Sequence, residues 1–482
     1  VLSLCLPKLS VHALALFLCA LAVDVACGQA PSTRLLPPSW EHVVWRLDQL
    51  ERENAEFRAQ LQSLETEAAA RDCPGCEPGA ADAWPVCSDP LCNDDGRALF
   101  YRESQRATTI DWSGFIQLDS GWIAQDAANI AAVGDIEDTT GLRRVRLRAS
   151  GRLLPRTSYV VDLDFAASGH PSFRDVKFTL HEQPIFQNIV IGYYAQPFGL
   201  EAMTSGRELL LMERELQFAF APFRQTGIGA RGTALNETVS WFYSGYRYPT
   251  DSFGVSEGGS GGWGFASRGT AIPYYNEENN SLVHFGASYS FADPGTNQVQ
   301  YAIEPGFFVK DPTSSASGST VPVFVDTGNI PTSYVNVGEL EFAAQLGSLN
   351  LQAETVGAFV EQIDGPRLAF SGAMAKMAYV FTGETHAYDR QEGIFRRVQP
   401  TEPGSFLSLG GGAWEGVAAW SYIDLNDQNI QGGTMQTFTM GVNRYLNNHV
   451  KFQVNIVRAL LDDPDTGPSA ATVAAFRAQA EF

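Results

Sequence analysis

The sequence predicts an all-β transmembrane barrel of about 16 antiparallel strands, preceded by an N-terminal α-helical coiled coil. Three observations predict it. Apolar and polar residues alternate with period two through most of the chain after Asp111, a 3-4 apolar repeat occupies Trp40 to Ala68, and beyond the N-terminal segment no apolar run is long enough for a spanning helix. Mean hydropathy of −0.11 with 18% charged residues excludes a helical membrane bundle. It leaves a closed barrel, which also satisfies every backbone group within the bilayer. The net charge of −21, from 54 acidic and 33 basic residues, excludes nucleic-acid binding through a broad basic surface.

The elements follow in chain order. Lys8 precedes the apolar run Leu9 to Val23, and Gly28 and Ala30 stand at the small-residue positions of a cleavage site, so residues 1–30 are expected to be an export signal. A lipid-modified Cys27 is the weaker alternative, because Asp24 occupies a position where that signal takes Leu. Residues 38–70 are expected to form a coiled-coil stalk on the periplasmic side. Trp40, Val43, Leu47, Leu50, Phe57, Leu61, Leu64 and Ala68 build an a/d seam interrupted only by Asn54, a register-fixing residue. Across a parallel interface Arg46 meets Glu51 and Glu53 meets Arg58. The competing reading is a single amphipathic helix packed on its own domain. Isolation of the segment before a Gly/Pro/Cys-rich stretch favours the oligomer, with the number of helices left open.

Residues 71–111 read as a linker holding Cys73, Cys76, Cys87 and Cys92, while Cys5, Cys19 and Cys27 fall in the signal region. An even, clustered set in an exported chain points to disulfides, in any of three connectivities. Zinc is disfavoured because the second cysteine spacing is longer than the first and no His lies nearby.

Residues 112–482 are expected to be the barrel. Val161, Leu163 and Phe165 alternate with Asp162 and Asp164; Val176, Phe178 and Leu180 alternate with Asp175, Lys177 and Thr179; Val450, Phe452, Val454 and Ile456 alternate with Lys451, Gln453 and Asn455. Such strands place an apolar face against lipid and a polar face toward water. The final run, Phe476, Ala478, Ala480 and Phe482, ends on an aromatic, as the closing strand of bacterial outer-membrane barrels does. At strand-plus-connection lengths of roughly 20 to 25 residues, about 16 strands fit, with 18 the near competitor, and a barrel of that size encloses water.

Several stretches resemble the phosphate-selective porin O and P family. They are Gly141-Leu-Arg-Arg-Val-Arg-Leu-Arg148, Tyr159 to Phe165, Phe173 to Phe178, Pro197-Phe-Gly-Leu-Glu201, Thr204 to Arg207, Met212 to Arg214, Gly411 to Glu415, Tyr422 to Asp427 and Gly441 to Asn447. The resemblance runs from about Gly114 to the C-terminus. It implies a trimeric porin of the bacterial outer membrane that draws phosphate-like anions past an arginine ladder, some members carrying an N-terminal coiled coil. Gln196 stands where the family commonly has Lys, and Ser205-Gly206-Arg207 replaces its Ser-Ser-Lys or Ser-Ser-Arg, so one basic position is missing.

Arg144, Arg146 and Arg148 occupy alternate positions, with Val145, Leu147 and Ala149 between them. On a lipid face each arginine costs about 2–4 kcal/mol at the midplane, so the row is expected to face the lumen. Its forked donors suit carboxylate or phosphate oxygens, and rings of Arg or Lys select anions in pores. The alternative is a structural ladder neutralised by Asp162 and Asp164. Residues 196–226 lack alternation and are expected to fold inward as a constriction loop, with Arg207 and Arg214 lining the pore and Glu208, Glu213 and Glu215 as local partners. The expected anion-binding set is therefore Arg144, Arg146, Arg148, Lys177, Arg207 and Arg214.

Gly259, Gly261 and Gly264 match GxGxxG without the strand-turn-helix setting that motif needs. The seven His are scattered, and no catalytic constellation appears, so neither an enzyme nor a metal or other cofactor is expected. The expected function is a water-filled channel for small solutes preferring small anions, with outer-membrane lipid and two further copies of the chain as partners. A cation-tolerant general porin and an envelope tether anchored by a barrel are the alternatives.

Overall fold

The computed structural model describes residue 52 and residues 108–166, 171–259, 261–309, 321–405 and 410–482. The expected signal, stalk and cysteine linker lie outside the described residues. The remainder forms sixteen long antiparallel strands: β1 (Asp111–Gln125), β2 (Thr139–Leu154), β3 (Thr157–Asp164), β4 (Ser172–Gln183), β5 (Gln187–Ala195), β6 (Arg224–Ala234), β7 (Val239–Arg247), β8 (Trp263–Asn276), β9 (Ser281–Asp293), β10 (Ile330–Leu346), β11 (Leu349–Gln362), β12 (Arg367–Val380), β13 (Ala413–Asp427), β14 (Ile430–Tyr445), β15 (Val450–Asp463) and β16 (Gly467–Glu481). Each strand pairs with its sequence neighbour. The sheet closes where β1 meets β16, from Phe115 opposite Glu481 to Gln125 opposite Ala471. Phe482 completes the seam: its N–H donates to Gly114 O at 3.0 Å and its carbonyl accepts from Gly114 N at 2.9 Å. Closure leaves no unpaired edge, the condition for burying strands in a bilayer.

The two ends of the barrel differ. The turn end, where β1 begins and β16 finishes, has tight connections such as 155–156, 184–186 and 347–348, together with the long segment 381–412. The loop end carries 126–138, with the short helix α1 (Ala127–Val133), and the long connections 196–223, 248–262 and 294–329.

Outward-facing residues are mostly apolar, as the alternation requires. On β15, Val454 and Ile456 are about half exposed, while Lys451, Gln453 and Asn455 are buried inside. On β3, Val161 faces out and Asp162 and Asp164 face in.

The interior corrects one expectation. Near the loop end, the strands from β10 onward turn apolar residues inward as well: Val335 and Val337 on β10, Val356 and Val360 on β11, Leu368 and Phe370 on β12, Ile423 and Leu425 on β13, and Val457 and Leu461 on β15. They pack against Tyr301, Ile303, Phe307, Phe324 and Val325 of the inward-folded 294–329 connection, and against Phe198, Met212, Leu216 and Phe220 of 196–223. A packed core thus fills part of the lumen, so a polar inner face does not hold for these strands. On its outer face β12 carries small residues such as Ala369, Ser371 and Ala373, alternating with the buried Leu368, Phe370 and Gly372.

Ile456→Arg is expected to lower the stability of the barrel in lipid vesicles by about 2–4 kcal/mol, read from a urea titration. No shift would remove the lipid-facing assignment of that side of β15.

Candidate functional site

The arginine row lies where β1, β2 and β16 meet. Gln117 pairs with Arg144 and Leu118 with Leu142, which makes Arg143 the extra residue of a β-bulge. Arg143 and Arg144 are both buried on the inner side, while Leu142 is exposed outside. The bulge therefore adds to the lumen an arginine that strict alternation assigns to lipid.

Both arginines reach across to the connection 196–223. Glu213 accepts from Arg143 Nε and Nη2 at 2.8 and 3.0 Å, from Arg144 Nη2 at 2.8 Å and from Arg477 Nη2 at 2.7 Å. Arg477, fully buried on β16, also donates to both oxygens of Asp119 on β1, at 2.7 and 2.6 Å. Burial alone would raise the Glu213 carboxyl, but the three guanidiniums outweigh it and hold the group well below the usual carboxylate range. A depressed carboxyl contributes its stability fully above the ordinary carboxylate range and loses it only as pH falls below.

The rest of the connection is tied down along its length. It opens with the short helix α2 (Leu200–Met203), where Glu201 pairs with Lys376 of β12 and its N–H donates to Glu354 of β11. Gly199, at φ +62°, packs so closely on Glu339 that a Cβ would sit 2.6 Å from both carboxylate oxygens, which explains the glycine of Pro197-Phe-Gly. Lys451 donates to the carbonyls of Arg207 and Leu209, and Asn443 to that of Leu210. The loop ends at Phe223 and Arg224 already belongs to β6, three residues earlier than the expected boundary.

Of the expected local partners, only Glu208 pairs with Arg207 or Arg214, lying 3.4 Å from Arg207. Glu213 is consumed by the barrel seam. Arg214 pairs with no carboxylate among the described residues. It donates to the carbonyls of Glu201 and Thr204 and lies 4.9 and 5.3 Å from the ring centres of Phe218 and Phe223.

Three connected chambers follow the β2–β6 wall. The loop-side chamber, about 410 Å³, is lined by Arg143, Arg144, Arg146, Arg174 and Arg214 and, beside them, by Phe218, Phe223, Ile303 and Phe308. The middle one, about 150 Å³, shares Arg146 and Arg214 with it. The turn-side chamber, about 530 Å³, shares Arg148, Arg207 and Arg396 with the middle. The middle chamber is the smallest of the three. Arg146, Arg148, Lys177, Arg207, Arg214, Arg224, Arg231 and Arg396 line it against Asp162, Asp175 and Glu392.

The expected residues occupy different situations. Arg144 is spent on Glu213 and Gln117. Arg146 shares Asp164 with Arg174, at 3.1 Å each. Lys177 shares Asp175 with Arg224, at 2.8 and 3.0 Å. Arg148 stands opposite Asp162 in the β2–β3 register yet forms no ion pair among the described residues. Neutralisation by the two aspartates thus reaches Arg146 and stops short of Arg148. Arg207 keeps a third of its side chain exposed. All six line a chamber.

The turn end adds a second constriction that the sequence did not announce. A hairpin of two short strands, His386–Asp389 and Ile394–Val398, folds back into the barrel from the 381–412 segment. Arg268 of β8 donates to the carbonyls of Glu392 and Gly393, both at 2.8 Å, and Arg231 of β6 pairs with Glu392 at 3.2 Å. His386 meets Glu415 of β13 at 2.5 Å, and the Arg397 N–H donates to Glu208 of the constriction loop. Hairpin and loop are therefore coupled directly, and the hairpin supplies Glu392 and Arg396 to the narrow chamber.

A sequence profile described as phosphate-selective porin O and P matches residues 116–482. The chain belongs to that family. This porin is 24% identical over 354 residues to Porin O of Pseudomonas aeruginosa, spanning 68% of this chain and 78% of the relative. It is 26% identical over 445 residues to an uncharacterized protein of Caulobacter vibrioides, spanning 84% and 83%. Among solved structures, the anion-selective porin from Comamonas acidovorans aligns with TM-score 0.46 at 12% identity, covering 78% of this chain and 99% of that one. The outer membrane channel DcaP of Acinetobacter baumannii aligns with TM-score 0.44 at 12% identity, covering 79% and 99%. The porin is an outer-membrane channel, as the family match and its closed barrel require.

Sequence reasoning missed Arg143, Arg174, Arg224, Arg231, Arg396 and Arg397 in the lumen. Arg143 and Arg174 sit beside register shifts, which period two does not reveal. Arg231 lies in a glycine-rich strand with weak alternation, and the hairpin pair lies in a segment with none.

Glu213→Gln is expected to cost about 3–5 kcal/mol, as loss of one partner in a buried charge network does, and to give larger, noisier single-channel currents. An unchanged denaturation midpoint and a quiet channel would show that the clamp does not hold the loop. Deleting 386–398 is expected to raise single-channel conductance while leaving the barrel folded; unchanged conductance would place the limiting constriction at the loop alone.

Proposed function

We propose that the porin is a passive, anion-preferring diffusion channel without enzymatic activity. The observation that carries the reading is the narrow chamber, where eight cationic side chains face three carboxylates. Net charge of the whole chain is −21, so the acidic excess lies away from the constriction. Charge lining the narrowest point of a pore acts on a permeating ion at close range, whereas surface charge is screened over about 10 Å at 0.1 M salt.

Arg148, Arg207 and Arg214 are proposed as the anion-binding residues of the constriction, with Arg146 and Lys177 contributing what their shared carboxylates leave uncancelled. Arg144 belongs to the clamp. The turn-side chamber is more balanced, with Arg148, Arg207, Arg396 and Arg397 against Glu208, Glu392 and Glu481, and this favours a modest anion preference over strict exclusion of cations. Short connections face the periplasm in such barrels. That orientation would put the proposed stalk on the periplasmic side, where its heptads would support a homotrimer and its linker cysteines disulfides.

In planar bilayers under a KCl gradient, the zero-current potential is expected to carry the sign of chloride permeation, and Arg148→Glu to move it toward the cation side. A potential showing that cations carry most of the current would overturn the anion reading and leave a cation-tolerant porin.

A further inference from the structure

We propose that the loop-side chamber selects small organic anions, a carboxylate head on an apolar or aromatic body, over inorganic phosphate. The proposal rests on the reading of the porin as an anion channel and names the solute that its chamber fits.

The chamber has two adjoining walls. One is guanidinium: Arg143, Arg144, Arg146, Arg174 and Arg214. Glu213 pairs with Arg143 and Arg144, Asp164 pairs with Arg146 and Arg174, and Glu304 also lies on the lining, so five cations stand among three carboxylates. That small surplus matches a monocarboxylate or dicarboxylate. Donors remain available, because Arg143 Nη1, Arg174 Nη1 and both terminal nitrogens of Arg146 donate to no acceptor among the described residues.

The other wall is apolar. Phe218, Phe223, Ile303 and Phe308 form it with small residues, and no Ser, Thr, Asn, Lys or Tyr lines the chamber among the described residues. Inorganic phosphate presents acceptor oxygens in every direction. Against the arginines it would be well met, but against the apolar lining it would lose water with no side-chain donor in return. A carboxylate carried on an apolar body has the complementary asymmetry: its head meets the forked donors and its body replaces water along the aromatic wall. Phe308 already stacks on Arg143, with the guanidinium carbon 3.7 Å from the ring centre, and Phe218 lies 4.9 Å from that of Arg214. A planar aryl carboxylate can extend these stacks. The chamber shares Arg146 and Arg214 with the constriction, so a solute held there sits at the mouth of the narrow passage.

The test uses the full chain in planar bilayers, with bi-ionic potentials of chloride against benzoate, acetate and inorganic phosphate. Benzoate is expected to permeate better than phosphate, and better than acetate once each is corrected for its mobility in water. Phe308→Ser and Phe218→Ser, tested separately, are each expected to lower the benzoate-to-phosphate ratio roughly three- to tenfold, the scale of one aromatic contact. Phosphate permeating as well as benzoate, or acetate equalling it, overturns the proposal while the anion channel stands. The wild-type comparison decides this even if a variant fails to insert. A current carried by cations for every salt overturns the underlying reading and the proposal with it.

Discussion

The interior of this barrel depends on one buried carboxylate. Glu213 sits on the connection between β5 and β6, inside a wall that offers it little water, so its charge must be met by protein donors. Arg143 and Arg144 of β2 and Arg477 of β16 meet it, and Asp119 of β1 shares Arg477. The strands involved are those at which the sheet closes. One network therefore ties loop position to barrel closure, and leaving any member unpaired would strand a buried charge. The path of the loop, the width of the passage beside it and the availability of the remaining arginines all follow from where Glu213 is held.

A closed barrel of sixteen strands encloses more space than a small-solute pore needs. This chain fills the excess in two ways. At the loop end, the 294–329 connection carries Tyr301, Ile303, Phe307 and Phe324 inward to pack on apolar residues of β10–β15. At the turn end, the 386–398 hairpin is stapled across β6, β8 and β13 by Arg231, Arg268 and Glu415. Both fillings leave the β2–β6 wall open, where the basic residues stand. Displacing water from one half of the lumen concentrates the pathway along the other, where the field of the arginines acts through a narrower aqueous space.

Strand existence and direction were legible because period two holds along most of the outer face: Val454 and Ile456 out, Gln453 and Asn455 in. The number of strands followed from the length available. Inner faces were less legible, since Leu368 and Phe370 are as apolar as any lipid-facing pair and only the incoming loop decides that they point inward. The arginine row was readable at Arg146 and Arg148, where alternation holds, and Arg143 was missed, because a bulge breaks the alternation there. Arg396 gave no signal at all. Its place in the pore comes from a hairpin whose docking depends on partners far away in sequence, Arg231 and Arg268 among them.

The lumenal arginines divide by what already holds them. Arg143, Arg144 and Arg477 converge on carboxylates with short, nearly dry contacts, and their charge is spent on architecture. Arg146 and Arg174 share Asp164, and Lys177 and Arg224 share Asp175, so each pair of cations keeps a surplus. Arg214 is held by carbonyls and rings, which fix its position without cancelling its charge. Arg148 forms no ion pair among the described residues, and Arg207 keeps a third of its side chain exposed beside Glu208 and Glu481. This gradient runs from the barrel seam toward the narrow chamber, so the same residue type serves first as mortar and then as lining. A chain with a large acidic excess can in this way present a cationic passage, because selectivity is set by the few charges that the fold leaves uncancelled at the constriction and not by the total.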